Sequence, residues 1–431
     1  MGARVVIIGG GIAGFAAAIE AARGGAAVTL LERTRSAGGR GGGTAVGDWR
    51  FNLGAHALYK AEGLQRLRAL GVEPSGAPNP TGGLAWLNDA LEAMPDSLGA
   101  LLGTRLLQAA DRWELTRVMG RMLLVDPAAL DRVSLADWLD AQVRRPRVRW
   151  VLEGTVRVLT YANAPEQMSA GLALRQLRRG VKGVLYLHGG WQSIVDGLVA
   201  GAAEAGVDVQ LGVEARAVQV GAAATEVITR DARLLADAVI LAVPPPTARR
   251  LLPDSAPVRA AADAAIPSRI ATLDLGLSHL PLPKRRFLIG LDRPVYFSVH
   301  SESRGLGPAG METVHAAWYR SSDDDSDRRG DLEALMDTVQ PGWRDAVIVE
   351  RYLPALQATT AIPLASAGGE AGRIAVDGSG LPGVFLAGDW VGPRGHLVDA
   401  ALASAHDAAR AALALVERSE MGAGAVAAVT A

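Results

Sequence analysis

Arg4-Val-Val-Ile-Ile8 runs straight into Gly9-Gly10-Gly11-Ile12-Ala13-Gly14, and Ala27-Val-Thr-Leu-Leu-Glu32 then returns to the same apolar texture. A short β-branched run, a glycine break, small helix formers from Ile12 to Arg23 and a second apolar run make one βαβ unit of about 30 residues. Both apolar runs are continuous rather than alternating, as expected of parallel strands covered by helices on both faces. Gly9-x-Gly11-x-x-Gly14 is the dinucleotide fingerprint within this unit. Gly9 allows the tight turn, Gly11 lets the backbone approach a pyrophosphate, and Gly14 lets helix and strand pack closely. The helix beginning at Ile12 offers unpaired N–H groups and a partial positive charge to phosphates. Glu32 closes the second strand, where a carboxylate accepts ribose hydroxyls. Three spaced glycines mean little in a chain that contains 51; the strand before, the helix after and the acid at the right distance make the pattern specific.

Outward from this unit, Glu32-Arg33-Thr34-Arg35-Ser36-Ala37-Gly38-Gly39-Arg40 resembles the segment that follows the acid in the flavin amine oxidase and phytoene desaturase superfamily. The resemblance implies that Gly38 and Gly39 bring backbone to the diphosphate and that Arg40 stabilises cofactor charge. Ser36 stands where many members carry arginine, a contact for which Arg33 or Arg35 could substitute. Near the other end, Val384-Phe385-Leu386-Ala387-Gly388-Asp389-Trp390 resembles the last strand of that superfamily, with Asp389 directed at the ribityl or phosphate region. His396 to Ser404 resembles the helix whose N-terminus points at the flavin, which places Leu397 and Val398 beside it. Such a terminus stabilises the negative charge of a reduced ring. Between the ends, Phe51-Asn52-Leu53-Gly54-Ala55-His56 resembles the stretch that passes the isoalloxazine ring, bringing Ala55 and His56 to it. Tyr186 to Trp191 and Ile194 to Leu198 resemble the desaturase stretch that re-enters the cofactor domain, and Ala215 is the expected adenine contact.

The resemblance implies an α/β protein with a discontinuous Rossmann-like domain that binds FAD non-covalently, over residues 1–75, 185–255 and 375–431. A second, α+β substrate domain takes residues 76–184 and 256–374. Within it, residues 85–180 read as a mostly helical insertion, with helical spacing through Leu101–Leu124 and Leu135–Val156 and apolar faces at Leu101, Leu102, Leu106, Leu107, Met119, Met122 and Leu123. Ile270 to Ala317 reads as sheet. The Ala- and Gly-rich end after Met421 reads as a tail.

His56 is the expected general base, if the chemistry uses one, although packing in a turn is an equal reading. Tyr59, Tyr296, His300, Trp318 and Trp390 are expected to line the substrate pocket. Lys284 lies in Pro281-Leu-Pro-Lys-Arg-Arg286, a solvated basic turn. The implied activity is two-electron dehydrogenation, or desaturation, of a largely apolar small molecule such as an isoprenoid or specialised metabolite, with oxygen or a quinone as acceptor. The spacing leans to the desaturase branch. Amine oxidation, redox-neutral isomerisation by reduced FAD and non-catalytic flavin binding are the alternatives. An apolar tunnel is expected between the insertion, the Tyr296–His300 segment and the stretch around His56.

Composition narrows the field further. The formal charge is −1, which sets nucleic acid aside as a default partner. The chain has no cysteine, so disulfides, thiolate metal sites, a cysteine nucleophile and a sulfur-tethered flavin are excluded, and no metal site is expected. The absence of cysteine also fits a cytoplasmic location. No secretory signal and no apolar run of about 18 residues is present, leaving membrane contact to the periphery.

Overall fold

The computed structural model describes residues 3–78, 82–94, 104–221 and 224–429, with side chains of the closing helix described as far as residue 418. The opening unit folds as its sequence suggests: strand Arg4–Ile8, helix Ile12–Arg23 and strand Ala27–Glu32. The two strands join a five-stranded parallel sheet in the order Asp208–Leu211, Ala27–Glu32, Arg4–Ile8, Ala238–Leu241, Val384–Leu386. The cofactor-type sheet is therefore assembled from both ends and the middle of the chain.

One face of this sheet, through Val5, Ile7, Leu30 and Ile240, packs on three helices: Ile12–Arg23, Gln192–Glu204 and the closing helix from Val398. Alanines such as Ala17 and Ala21 in the first helix, and Ala405, Ala408 and Ala409 in the last, let these helices lie close. The other face differs from the expectation of helices on both sides. Val6, Ile8, Val239 and Leu241 pack against Val218, Val227 and Ala236 of a three-stranded antiparallel sheet, joined by the short helix Pro245–Leu251. Alternating residues of one strand serve two different layers, and both layers being apolar explains the unbroken hydrophobic runs. Helix Gln192–Glu204 ends where expected, with Gly206 at φ +76° and its N–H bonded to Ala203 O.

The second sheet has seven strands, in the order Val347–Thr359, Ser268–Leu277, Glu312–Tyr319, Val295–Val299, Phe287–Gly290, Leu84–Leu87, Ala90–Ala93. All neighbours are antiparallel except Phe287–Gly290 and Leu84–Leu87. The start of the expected helical insertion is thus a β-hairpin, turned at Asn88-Asp89 with both residues at positive φ, the geometry of a tight type I′ turn. Helices Ala109–Leu124, Leu135–Gln142, Pro146–Thr160 and Ala170–Gly180 follow. Pro146 divides the run read as Leu135–Val156 because it has no N–H to continue the first helix, while it suits the first turn of the next. Leu101 and Leu102 lie outside the described residues. Leu106 and Leu107 are buried as expected, whereas Met119 and Leu123 are exposed. The closing helix runs to Val429, so the residues after Met421 continue as helix rather than a tail, consistent with the high helix propensity of alanine.

Candidate functional site

The C-terminal ends of the parallel strands open on a cavity of about 470 Å³ that reaches across to the seven-stranded sheet. Its floor is the glycine turn. Gly9 has φ +111°, and a Cβ there would lie 2.4 Å from Ala242 O; a Cβ on Gly14 would lie 1.8 Å from Gly9 O. Each must be glycine, and for Gly14 the reason is the helix–strand approach, since it does not itself line the cavity. A Cβ on Gly11 would meet only Gly38 O, at 4.0 Å; its open side is the cavity. Gly38 N donates to Gly10 O at 2.7 Å, which docks the second glycine segment on the first. The helix behind Gly11 has no side-chain cap, leaving its first N–H groups for an anion.

Glu32 and Arg33 line one end. The Glu32 carboxylate accepts from Gly10 N at 2.7 Å and from Thr34 N at 2.8 Å and its hydroxyl at 2.7 Å, so it also fixes the turn that contains the fingerprint. Ala215 lines the same end; Arg35 does not, although it follows Arg33 closely in sequence. Val213, Glu214, Ala242, Val243, Pro244 and Arg250 were not foreseen there.

Arg40 and Asp389 meet at the centre of the lining. Asp389 is 5% exposed and takes Arg40 in a two-pronged ion pair, at 2.7 and 2.9 Å. It also accepts from Thr360 N at 3.0 Å and from the Thr360 hydroxyl. Burial pushes its carboxyl pKa up, but the Arg40 charge and the hydrogen bonds of Arg40 and Thr360 outweigh it and hold it below its ordinary value. The contact ties the glycine segment to the last strand across 349 residues of chain.

The remaining wall is aromatic and apolar: His56, Ala57, Tyr59, Tyr161, Trp191 and Ile270, with Gln357, Ala358 and Leu397. Leu397 has φ +55°, a conformation rare for such a side chain, at the point where Leu397 and Val398 turn the closing helix toward the cavity. Ala55 does not line the cavity but sits behind it, its carbonyl accepting from Tyr161 Oη at 2.9 Å. His56 packs edge-on to Trp191, with centroids 5.0 Å apart, and to Tyr161. Burial, followed by the charges of Arg40 and His315, lowers its pKa to about 3. His56 is therefore held neutral near neutral pH.

Tyr161 is the feature that sequence reasoning missed. It ends helix Pro146–Thr160 in the left-handed region, at φ +57°, and among the described residues of 85–180 it alone lines the cavity. Its Oη donates to Ala55 O and accepts from Ala57 N at 3.1 Å, so it grips both sides of His56. Tyr161→Phe should cost about 1–3 kcal/mol by leaving a buried carbonyl and N–H unpaired. A denaturant midpoint unchanged from the parent would remove the clamp.

Three expected pocket residues lie elsewhere. Tyr296 bonds Tyr186 Oη at 3.0 Å, His300 stacks on Tyr186 with its ring nitrogen 2.8 Å from Ser298 Oγ, and Trp318 lies under Arg328. None lines the cavity. The expected tunnel wall at Tyr296–His300 is accordingly absent, and among the described residues the insertion reaches the cavity through Tyr161. Tyr59 does line it, its Oη donating to Leu159 O at 2.9 Å. Trp390 lines it too, but on the side of the parallel sheet, where Nε1 donates to Val243 O at 3.0 Å. Lys284 is exposed in its turn.

A parallel sheet with a glycine cradle, a carboxylate at one end and an aromatic wall at the other defines a nucleotide-cofactor protein of the two-sheet kind. The model of the family of flavin containing amine oxidoreductases matches residues 12–276, and the chain belongs to that family. It is a flavin-containing oxidoreductase. Its fold is shared with an oxidoreductase from Methanosarcina mazei (TM-score 0.76, 16% identity, covering 94% of this chain and 99% of that one). Putrescine oxidase bound to putrescine is similar (0.73, 16%, 96% and 99%), as is cyclohexylamine oxidase from Brevibacterium oxydans IH-35A (0.70, 17%, 97% and 100%). No curated protein sequence matches the chain. The residues present fit a flavin nucleotide: Gly11 faces open space, the flanking helix terminus is uncapped, and His56 Nδ1 and Trp191 Nε1 are buried without a partner among the described residues.

Proposed function

We propose that the chain is an FAD-dependent oxidoreductase that removes two electrons and two protons from an uncharged, largely apolar small molecule. In this reading Glu32 holds the ribose, and Gly9, Gly11, Ile12, Ala13, Gly38 and Gly39 with Arg33 and Arg40 hold the diphosphate. Ala215 contacts the adenine. Asp389 and Gly388 with Leu397 and Val398 flank the flavin, His56 borders it, and Gly14 and Ala55 support from behind. FAD when bound supplies the two-electron acceptor, which oxygen or a quinone then reoxidises. The division into a cofactor domain at 1–75, 185–255 and 375–431 and a substrate domain at 76–184 and 256–374 belongs to the same proposal.

The observation that carries it is the wall at the His56 end. Its titratable groups are the neutral His56 and the tyrosines Tyr59 and Tyr161, whose hydroxyls burial holds protonated. The nearby Arg40–Asp389 pair is mutually satisfied. Among the described residues an ionic substrate group would find no free counter-charge there, whereas an apolar one loses little on entry. These residues shape and dry the site rather than transfer protons. Amine oxidation is the second reading, favoured by the aromatic side chains Tyr59, Tyr161 and Trp191 in the lining, which accept an amine on their faces.

Anaerobic mixing of the yellow protein with neutral cyclic and polyene compounds, and separately with lipophilic amines, distinguishes the two. Loss of oxidised-flavin absorbance with the neutral set is the expected result. Bleaching by amines alone would move the assignment to the second reading, and turnover with no net redox change would mark an isomerase. Mass spectrometry of the nucleotide released on denaturation should give FAD; FMN or NAD would overturn the cofactor reading.

A further inference from the structure

Helix Ala109–Leu124 carries its charges in an unusual arrangement. Its two carboxylates, Asp111 and Glu114, are turned inward, where Asp111 pairs with Arg145 and Glu114 accepts from Arg144 N at 3.1 Å and Arg145 N at 2.9 Å. Leu115 and Val118 are buried on the same side. The outward side presents Trp113, Arg117, Gly120 and Leu124, one stripe at helical spacing, with Leu123 and Arg121 beside it; Arg117 is tied back to Gln142 O and lies 4.0 Å from Glu114, which leaves Arg121 as the outward cation of the helix. Trp113 is 70% exposed, Leu123 76% and Leu124 88%. Arg178 Nη2 donates to Met122 O and Val125 O, both at 2.7 Å, which holds the end of helix Ala170–Gly180 against the end of this one. Val181, 89% exposed, and the exposed Lys182 follow directly. Large apolar groups and cations thus share one surface from which the helix's own acids have been withdrawn.

A chain of net charge −1 has no overall attraction for anions, so this local segregation needs its own account. Apolar side chains at this exposure lose free energy to water, and a folded protein normally keeps such groups scattered. A helix with Trp and Leu beside Arg and Lys suits the boundary between headgroups and acyl chains, where the apolar groups enter and the cations meet phosphate. We infer that the outward face of helix Ala109–Leu124, with Val181 and Lys182, docks on an anionic lipid surface. The same helical layer supplies Tyr161 to the cavity, so docking would set the protein down on its substrate-domain side. The inference does not depend on which compound is oxidised.

The test uses the flavin-loaded full chain and sedimentation with phosphatidylcholine vesicles, with and without phosphatidylglycerol. The parent should bind the anionic vesicles and be released by high salt. The variant Trp113→Ser/Leu124→Ser/Val181→Ser should bind about tenfold or more weakly, and Arg121→Glu/Lys182→Glu should lose the preference for phosphatidylglycerol. All five positions are exposed, so circular dichroism and flavin content should match the parent. Absence of parent binding, equal binding to both vesicles, or an unaltered triple variant would overturn the inference. So would light scattering that shows a parent dimer converted to monomer by the triple variant, because the face would then be covered by a second copy.

Discussion

Arg40→Ala is expected to destabilise the protein by about 3–5 kcal/mol, the typical cost of stripping the partner from a buried charge. The change leaves the Asp389 carboxylate, 5% exposed, with Thr360 as its remaining donor among the described residues outside its own segment, since Arg373 donates to the Asp389 carbonyl instead, at 2.9 Å. Arg40 itself is 38% exposed, so the reverse variant, Asp389→Ala, frees a cation that water can reach and should cost less. The asymmetry is the test: a pair held by surface attraction would respond equally from both sides, and weakly. Acid should also narrow the gap. Arg40 keeps the Asp389 carboxyl below its ordinary pKa of 3.8, a contribution present above that value and lost as pH falls through the folded-state value. In Arg40→Ala the carboxyl protonates more readily, so the penalty should shrink toward acidic pH. Urea midpoints of both variants at neutral and acidic pH decide the matter, and flavin release should accompany the loss.

Stability should fall steeply as the solution is acidified from about pH 7 to about pH 5, well above the range where most carboxylates titrate. His56 and His396 are lowered from 6.5 to about 3 and about 4, and His300 is pushed well below, each chiefly by burial. A histidine whose folded-state pKa is depressed binds its proton in the unfolded chain first. The unfolded state therefore gains protons between 6.5 and the folded-state value, and folding loses about 1.4 kcal/mol per pH unit for each such group. Three groups give about 2 kcal/mol per unit near pH 6.5 and about 4 kcal/mol per unit a pH unit or more below it, where the unfolded rings are mostly protonated and the folded ones are not. Asp399, whose carboxyl burial pushes up, has the opposite sign and offsets part of it. His396→Gln keeps a donor for Thr160 O, which His396 Nε2 reaches at 3.1 Å, and should flatten the slope. A denaturant midpoint equal at both pH values would show these rings to be hydrated.

The contrast between what could be read in advance and what could not follows sequence distance. The glycine turn, Glu32 and the Gly38–Arg40 segment are local: a few consecutive residues set a backbone path, and their cavity positions follow. The far wall depends on strand order in the seven-stranded sheet, which no periodicity encodes. Ile270 and Ala358 reach the cavity from neighbouring strands, whereas Tyr296 sits two strands beyond Ile270, about 10 Å away at ordinary strand spacing. Trp318 fails by parity. It pairs with Ala271 while Tyr319 pairs with Ile270, so its side chain leaves the opposite face of the sheet. Tyr161 gave no sequence signal, because its role comes from a left-handed helix end placed against residues 55–57.

Strand Arg4–Ile8 lies between Ala27–Glu32 and Ala238–Leu241, and Val384–Leu386 closes the sheet beyond the latter. At a ribosome adding roughly 5–20 residues per second, roughly 20–80 s separate the synthesis of the first strand from that of the last. Throughout that interval Asp389 is absent, and Arg40 waits for its counter-charge. The four-helix layer and most of the large sheet are made before the closing strand, so a cleft that holds both Arg40 and Asp389 exists only once that strand has been synthesised. A nascent chain stalled before residue 384 would carry the fingerprint intact and still lack the groups that close the binding cleft.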